Sequence, residues 1–144
     1  MAFLIHSILP NPPRPIVYVQ ADVSLAQCVE IMVQDDIGAL VVGDEENVLG
    51  ILSERDVVRN FVHNGLDAKA ALASDILHAD VSVLESNEPV EKAMEIFTYT
   101  KRRHLLVAEN GKIIAILSIG DVLLHLLADK AREVAHLEDY IHSY

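Results

Sequence analysis

Tryptophan is absent from this 144-residue chain, and there are only three Phe and four Tyr. The core must therefore be built from Ile, Leu, Val and Ala. A single cysteine, Cys28, excludes an internal disulfide framework and fits a reducing compartment, with the cytoplasm as the expected location. Basic residues are scarce: 11 Lys and Arg stand against 22 Asp and Glu, for a formal net charge of −11 and a pI near 4.9. A surface of that sign repels nucleic-acid backbones and anionic lipid, so neither is expected as a partner. No apolar run approaches the roughly 18–20 residues of a membrane span. The longest, residues 113–127, is broken by Asp121 and His125. The first six residues have neither a basic region nor a long apolar core, so no signal peptide is expected.

Catalytic motifs are missing as well. There is no HExxH, no Cys/His set with zinc spacing, no G-x-S-x-G, no Walker A loop and no G-x-G-x-x-G. Cys28 falls on the apolar face of a predicted helix, where it reads as a small core residue. No catalytic or metal-ligating residue is assigned, and the chain is not read as an enzyme. What is present is apolar: 51% of residues are hydrophobic, with a mean hydropathy of +0.29. So much apolar surface must be buried inside or between copies, and a homodimer is expected.

The organising feature is a repeat. Shifted by 65 residues, the sequence overlays itself without a gap from Val17 to Val58. Glu30/Glu95, Ile31/Ile96, Leu40/Leu105, Ile51/Ile116, Ser53/Ser118 and Asp56/Asp121 are identical pairs. Each copy reads as β-α-β-β-α. Residues 16–19 and 81–84 form short strands. Helices follow, with apolar residues at Leu25, Cys28, Val29, Met32 and at Val90, Ala93, Met94, Phe97. Ser24 with Gln27 is a capping box for the first helix, and Asn87 with Pro89 supplies the second start. Apolar runs at 39–42 and 48–52, and at 105–107 and 113–117, make two hairpins, and a helix opens after Ser53 and again after Ser118. The fold class is α/β (α+β), built from two β-α-β-β-α repeats. The predicted division is a lead-in at 1–15, a first repeat at 16–64, a linker helix at 65–80, a second repeat at 81–130 and a C-terminal helix at 131–144. Four prolines between residues 10 and 15 make the lead-in stiff and extended. The Ala-rich 68–77 segment favours helix, and its 74–77 stretch echoes residues 6–9.

Two strings carry a family resemblance. Ile37-Gly38-Ala39-Leu40-Val41-Val42 followed by Gly50-Ile51-Leu52-Ser53-Glu54-Arg55-Asp56, and Arg103-His104-Leu105 followed by Ile116-Leu117-Ser118-Ile119-Gly120-Asp121-Val122, resemble the two copies of a CBS-domain pair. The tail, residues 137–141, is similar to that of stand-alone bacterial members, which are themselves likened to the regulatory module of inosine-monophosphate dehydrogenase. The resemblance implies that the copies pack through their sheets around a pseudo-twofold axis, with two clefts between them, adenosine-containing ligands (AMP, ADP or ATP) in one or both, and a flat disc-like dimer. S-adenosylmethionine or an NAD-type ligand is the alternative, as is a ligand-free interaction scaffold.

Within that frame, Ser53-x-x-Asp56 and Ser118-x-x-Asp121 are either simple helix caps or ribose-binding acids with a hydroxyl beside them. Lys101, Arg102, Arg103 and His104 gather three of the eleven basic residues. They are either a solvated helix end or a phosphate-neutralising patch, with His104 alternatively a structural strand residue. Gly38 and Gly50 are candidates for close backbone approach to a base or sugar, with Ala39 beside Gly38 in the same frame, though a turn or packing glycine would look alike. Tyr18 and Val83, on the first strands, are expected near the base or in the core. Ala115 replaces the glycine found at Gly50, and Leu106 stands where the family often has proline, so the two clefts are expected to differ.

Overall fold

The computed structural model describes residues 3–12 and 14–142. Met1, Ala2, Pro13, Ser143 and Tyr144, and with them the outermost ends of the lead-in and of the C-terminal segment, lie outside the described residues. The first repeat runs β1 (Tyr18–Val19), α2 (Leu25–Asp35), β2 (Ala39–Gly43), β3 (Val48–Ser53) and α3 (Glu54–Val57). The last continues into a π-helical stretch, Val58–His63. The second repeat runs β4 (Val83–Glu85), α5 (Val90–Thr100), β5 (His104–Glu109), β6 (Lys112–Ser118) and α6 (Ile119–His142). Two one-turn helices precede the repeats, α1 (Ile5–Ile8) and α4 (Ala73–Ile76). Each repeat forms its own three-stranded sheet, with β1 parallel to β2 and β2 antiparallel to β3, and the same in β4-β5-β6.

Local chemistry fixes these elements. Ser24 accepts from the Gln27 amide, and the Gln27 side chain reaches back to the Ser24 amide, closing the expected capping box. Pro89 is the N-cap of α5 and makes no side-chain cap. Asp36 and Lys101, 65 residues apart, end the two long repeat helices in the left-handed conformation. The β2–β3 turn is held by Asp44, whose carboxylate accepts from the Glu46 and Asn47 amides. In the β5–β6 turn Asn110 and Gly111 both have positive φ, as a tight two-residue hairpin demands.

Strand alternation divides the core into three parts. Leu40, Val42 and Leu52 point to the helices of the first repeat, with Leu25, Cys28 and Met32. Leu105, Val107 and Leu117 do the same in the second, with Val90, Ala93 and Phe97. The opposite faces meet each other: Ala39, Val41 and Ile51 pack with Leu106 between the repeats. The one-turn helices cross over. Ile5 of α1 is buried in the core of the second repeat, and its amide donates to the Glu88 carbonyl. Ala73 and Ile76 of α4 are buried in the core of the first, and the Ala73 amide donates to the Val23 carbonyl.

Several expectations need correction. β1 covers two of its four predicted residues; the Val17 carbonyl still accepts from the Val41 amide, and Ile16 and Val17 line a cleft. The 65–80 segment is not a linker helix. Turns and the single turn of α4 replace it, since its amides are drawn into bonds with the first repeat, overriding the preference of alanine for helix. The lead-in contains α1 and is not wholly extended. One continuous helix, α6, crosses the expected boundary at residue 130.

Candidate functional site

Two clefts open between the repeats, and the structure makes them unlike. The first measures about 210 Å³. One wall comes from the first repeat at Ile37, Gly38 and Ala39. The other comes from the second at His104, Ile116 and Asp121, and the lead-in closes the side with Arg14, Ile16 and Val17. Asp121 sits in the first turn of α6. Its Oδ2 accepts from the Ser118 amide at 2.9 Å, and the Asp121 amide donates to Ser118 Oγ at 3.1 Å. The serine is therefore a cap, yet the cap leaves the second carboxylate oxygen facing the cleft. There it accepts from Arg14 Nη2 at 2.9 Å, an ion pair in which the Arg14 side chain is 64% exposed and that of Asp121 22%.

The second cleft, about 160 Å³, lies between Ser53, Glu54 and Arg55 on one side and Arg102, Arg103 and His104 on the other, with His78 of the linker beside them. Its acid is in a different state. Asp56 is only 3% exposed. Asp56 Oδ2 accepts from the Ser53 amide at 2.8 Å, from Ser53 Oγ at 2.8 Å and pairs with His78 Nδ1 at 3.0 Å. Oδ1 lies 3.7 Å from Arg102 Nη1. Burial by itself pushes the Asp56 carboxyl up, but the hydrogen bonds from His78 and Ser53 prevail and hold it below the usual carboxylate range.

The two clefts share Gly38 and His104. Burial pushes the His104 imidazole below its ordinary pKa. Asp121 opposes the shift, His78 adds to it, and Glu54 and Asp56 oppose it again. At neutral pH the ring is favoured neutral, offering one N–H and one lone pair to either side.

Gly50 explains why the clefts diverge. Its close approach is to backbone, not to a ligand: an added Cβ would press into the His78 carbonyl oxygen and stand 2.7 Å from Leu77 Cδ1. The linker pairs here with β3, the Ile51 amide donating to the His78 carbonyl at 3.1 Å and the His78 amide to the Ile51 carbonyl at 3.0 Å. At the equivalent position β6 carries Ala115, and the lead-in is proline-rich, short of amides to donate. Among the described residues no such bridge forms there, and Ala115 and Ile116 line the first cleft instead.

Of the predicted site residues, Gly38, Ala39, His104, Ser118 and Asp121 come together at the first cleft. Ser53, Arg102 and Arg103 come to the second, with Gly38 and His104 again. Asp56 lies beneath the second and not on its lining. Three more line neither cleft. Lys101 caps α5 at the surface. Tyr18 packs between the sheets, where burial first, then Glu45 and Asp44, raise its pKa. Val83 is half exposed on β4. Sequence reading missed Arg14, His78 and Ile16 as cleft residues. The 65-residue offset carried a usable signal, since it brings His78 to within one position of Arg14, both just ahead of a first strand. No cluster of His, Cys, Asp and Glu among the described residues could hold a metal ion.

The sequence model of the CBS domain matches residues 8–63 and 73–128, two segments at the offset of the internal repeat. The chain belongs to the CBS domain family. Its CBS pair is 30% identical over 125 residues to a mitochondrial CBS domain-containing protein of Arabidopsis thaliana, covering 83% of this chain and 61% of that protein. The chain thus spans about three fifths of that relative's length. Among solved structures, a CBS-domain containing protein from Agrobacterium tumefaciens is 33% identical, with a TM-score of 0.78 over 85% of this chain and 98% of its own. A putative signal-transduction protein with CBS domains from Burkholderia ambifaria is 31% identical, with a TM-score of 0.80 over 90% and 96%. Among the described residues no helix is long and apolar enough to cross a membrane.

Proposed function

We propose that this CBS pair is a regulatory sensor that takes an adenine nucleotide (AMP, ADP or ATP), with the nucleoside in the first cleft. One observation supports the reading above the others. Asp121 presents to an inter-repeat cleft a carboxylate oxygen whose hydrogen bond, among those described, comes from an exposed arginine. An acid so placed can accept both hydroxyls of a ribose once Arg14 turns aside. The cleft with Arg14 across it is smaller than the ~300 Å³ at which sites that engulf drug-sized ligands begin. Entry of a nucleoside therefore couples to movement of the lead-in. Ile16, Val17 and Ile116 supply the apolar slot a purine needs, and neutral His104 a polar edge. The ligand acts by binding one arrangement of the two repeats better than another, since only differential affinity shifts an equilibrium.

Titration calorimetry with ATP, ADP, AMP and S-adenosylmethionine tests this. Binding should weaken ~10- to 100-fold in Asp121→Ala, the loss of a charged acceptor for hydroxyls. Equal binding by Asp121→Ala, or no heat and no melting shift with any adenosyl compound, would end the proposal. A bound ligand at a hundred times its dissociation constant adds about 2.7 kcal/mol, well within reach of a melting experiment.

A second reading is favoured by α6. Leu123, Leu127, Val134, Leu137 and Ile141 are each more than half exposed along this helix. That stripe suits a homodimer or a docked protein. A scaffold of this kind works without nucleotide and shows no nucleotide-dependent melting shift.

A further inference from the structure

We infer that the second cleft is a receptor for phosphate groups and not a second nucleoside site. The inference rests on the nucleotide reading of the first cleft, but its chemistry is independent of it. A nucleoside site needs an acid whose oxygen faces the cleft, and here Asp56 is buried off the lining, with Oδ2 held by Ser53 and His78 and Oδ1 turned to the Arg102 guanidinium at 3.7 Å. Its ribose-binding role could return only if His78 left both Asp56 and its backbone bridge to Ile51. The apolar slot is missing too. Where Ala115 and Ile116 line the first cleft, the linker covers the corresponding edge at Gly50 and Ile51.

What does face the second cleft is positive. Arg55, Arg102 and Arg103 converge on a space of about 160 Å³ in a chain whose net charge is −11. Two of them are partly held: Arg55 Nη1 donates to the Lys101 carbonyl at 3.1 Å, and Arg102 leans toward Asp56. The guanidinium of Arg103 makes no hydrogen bond or ion pair with the described residues. Glu54 is the one acid on the lining and only partly offsets the three cations. Forked guanidinium groups match phosphate oxygens in bidentate, charge-assisted hydrogen bonds. Because Gly38 and His104 belong to both clefts, the phosphates of a nucleotide seated in the first are directed toward the second. One nucleotide per chain follows.

Calorimetry on the full chain with adenosine, ATP and inorganic tripolyphosphate tests this. Adenosine should bind once per chain, and ATP at least tenfold more tightly than adenosine. Tripolyphosphate should bind alone. In Arg102→Ala/Arg103→Ala the advantage of ATP over adenosine should collapse and tripolyphosphate binding should be lost. Arg103→Glu, at an exposed and unpaired position, gives the same result if the double variant folds poorly. Tripolyphosphate that displaces ATP but not adenosine assigns the site to the nucleotide's own phosphates. Tripolyphosphate bound alongside ATP keeps the receptor and assigns it to a separate anion. Two adenosines per chain, an ATP advantage that survives Arg103→Glu, or no tripolyphosphate binding to the native chain would overturn the inference. If tripolyphosphate binds while adenosine and ATP do not, the nucleotide reading of the first cleft fails and the receptor stands.

Discussion

Asp56 and Asp121 occupy the same position in the two repeats, three residues after a serine, yet they meet different surroundings. His78 and burial turn the first into a structural group; exposure leaves the second able to exchange partners. Asp56→Ala strands His78 and the Ser53 donors and should cost about 2–3 kcal/mol in chemical denaturation. Asp121→Ala removes a half-solvated pair and should cost about 1 kcal/mol or less. The pH dependence differs in the same sense. The folded-state pKa of Asp56 is depressed, so its contribution is complete above the ordinary aspartate value and lost as pH falls through the folded one. Denaturation between pH 5 and pH 2 should show a fall in stability that is flattened in Asp56→Asn. A Ser-x-x-Asp string could not reveal this contrast. The deciding partners, Arg14 and His78, come from the lead-in and the linker, and their meeting with the acids is tertiary.

Among the elements, the hairpin strands and the helices α2 and α5 were legible because their pattern follows from apolar runs, periodicity and capping: the run at 39–42, Leu25, Cys28 and Met32 on one face, Ser24 with Gln27 at the helix start. The segments between repeats were not. Their conformation answers to backbone partners in the opposite or preceding repeat, which alanine content and proline count do not encode. Gly50 shows the point sharply. It was a candidate for contact with a ligand and instead admits the linker. Gly50→Ala should break the Ile51–His78 bridge and cost about 1–3 kcal/mol by overpacking. In Gly38→Ala the added methyl meets Glu54 at 3.7 Å, ordinary contact, and the variant should melt close to the native chain. Thermal unfolding of the pair separates a glycine required by backbone proximity from one that is not.

At the scale of the molecule, the excess of apolar residues noted in the composition is visible as the exposed stripe on α6. The helix packs on α5, β6 and α1 over its first turns, and residues 130–142 are exposed throughout. If that stripe joins two copies, Leu137→Glu with Ile141→Glu should lower the mass seen in sedimentation from two chains to one, while the helical signal of the repeats persists. An unchanged mass would assign the stripe elsewhere. The crossing of α1 and α4 bears on a different property. Each half wears a clasp made from the residues ahead of the other, so neither half is a finished unit. Severing the chain after Gly65 would leave the first piece without Ala73 and Ile76 and the second without Ile5. Such pieces, produced separately, should be unfolded or aggregated, and should regain a shared structure only on mixing. The two repeats are thereby clasped as a pair, and loss or exchange of one alone should unfold the other.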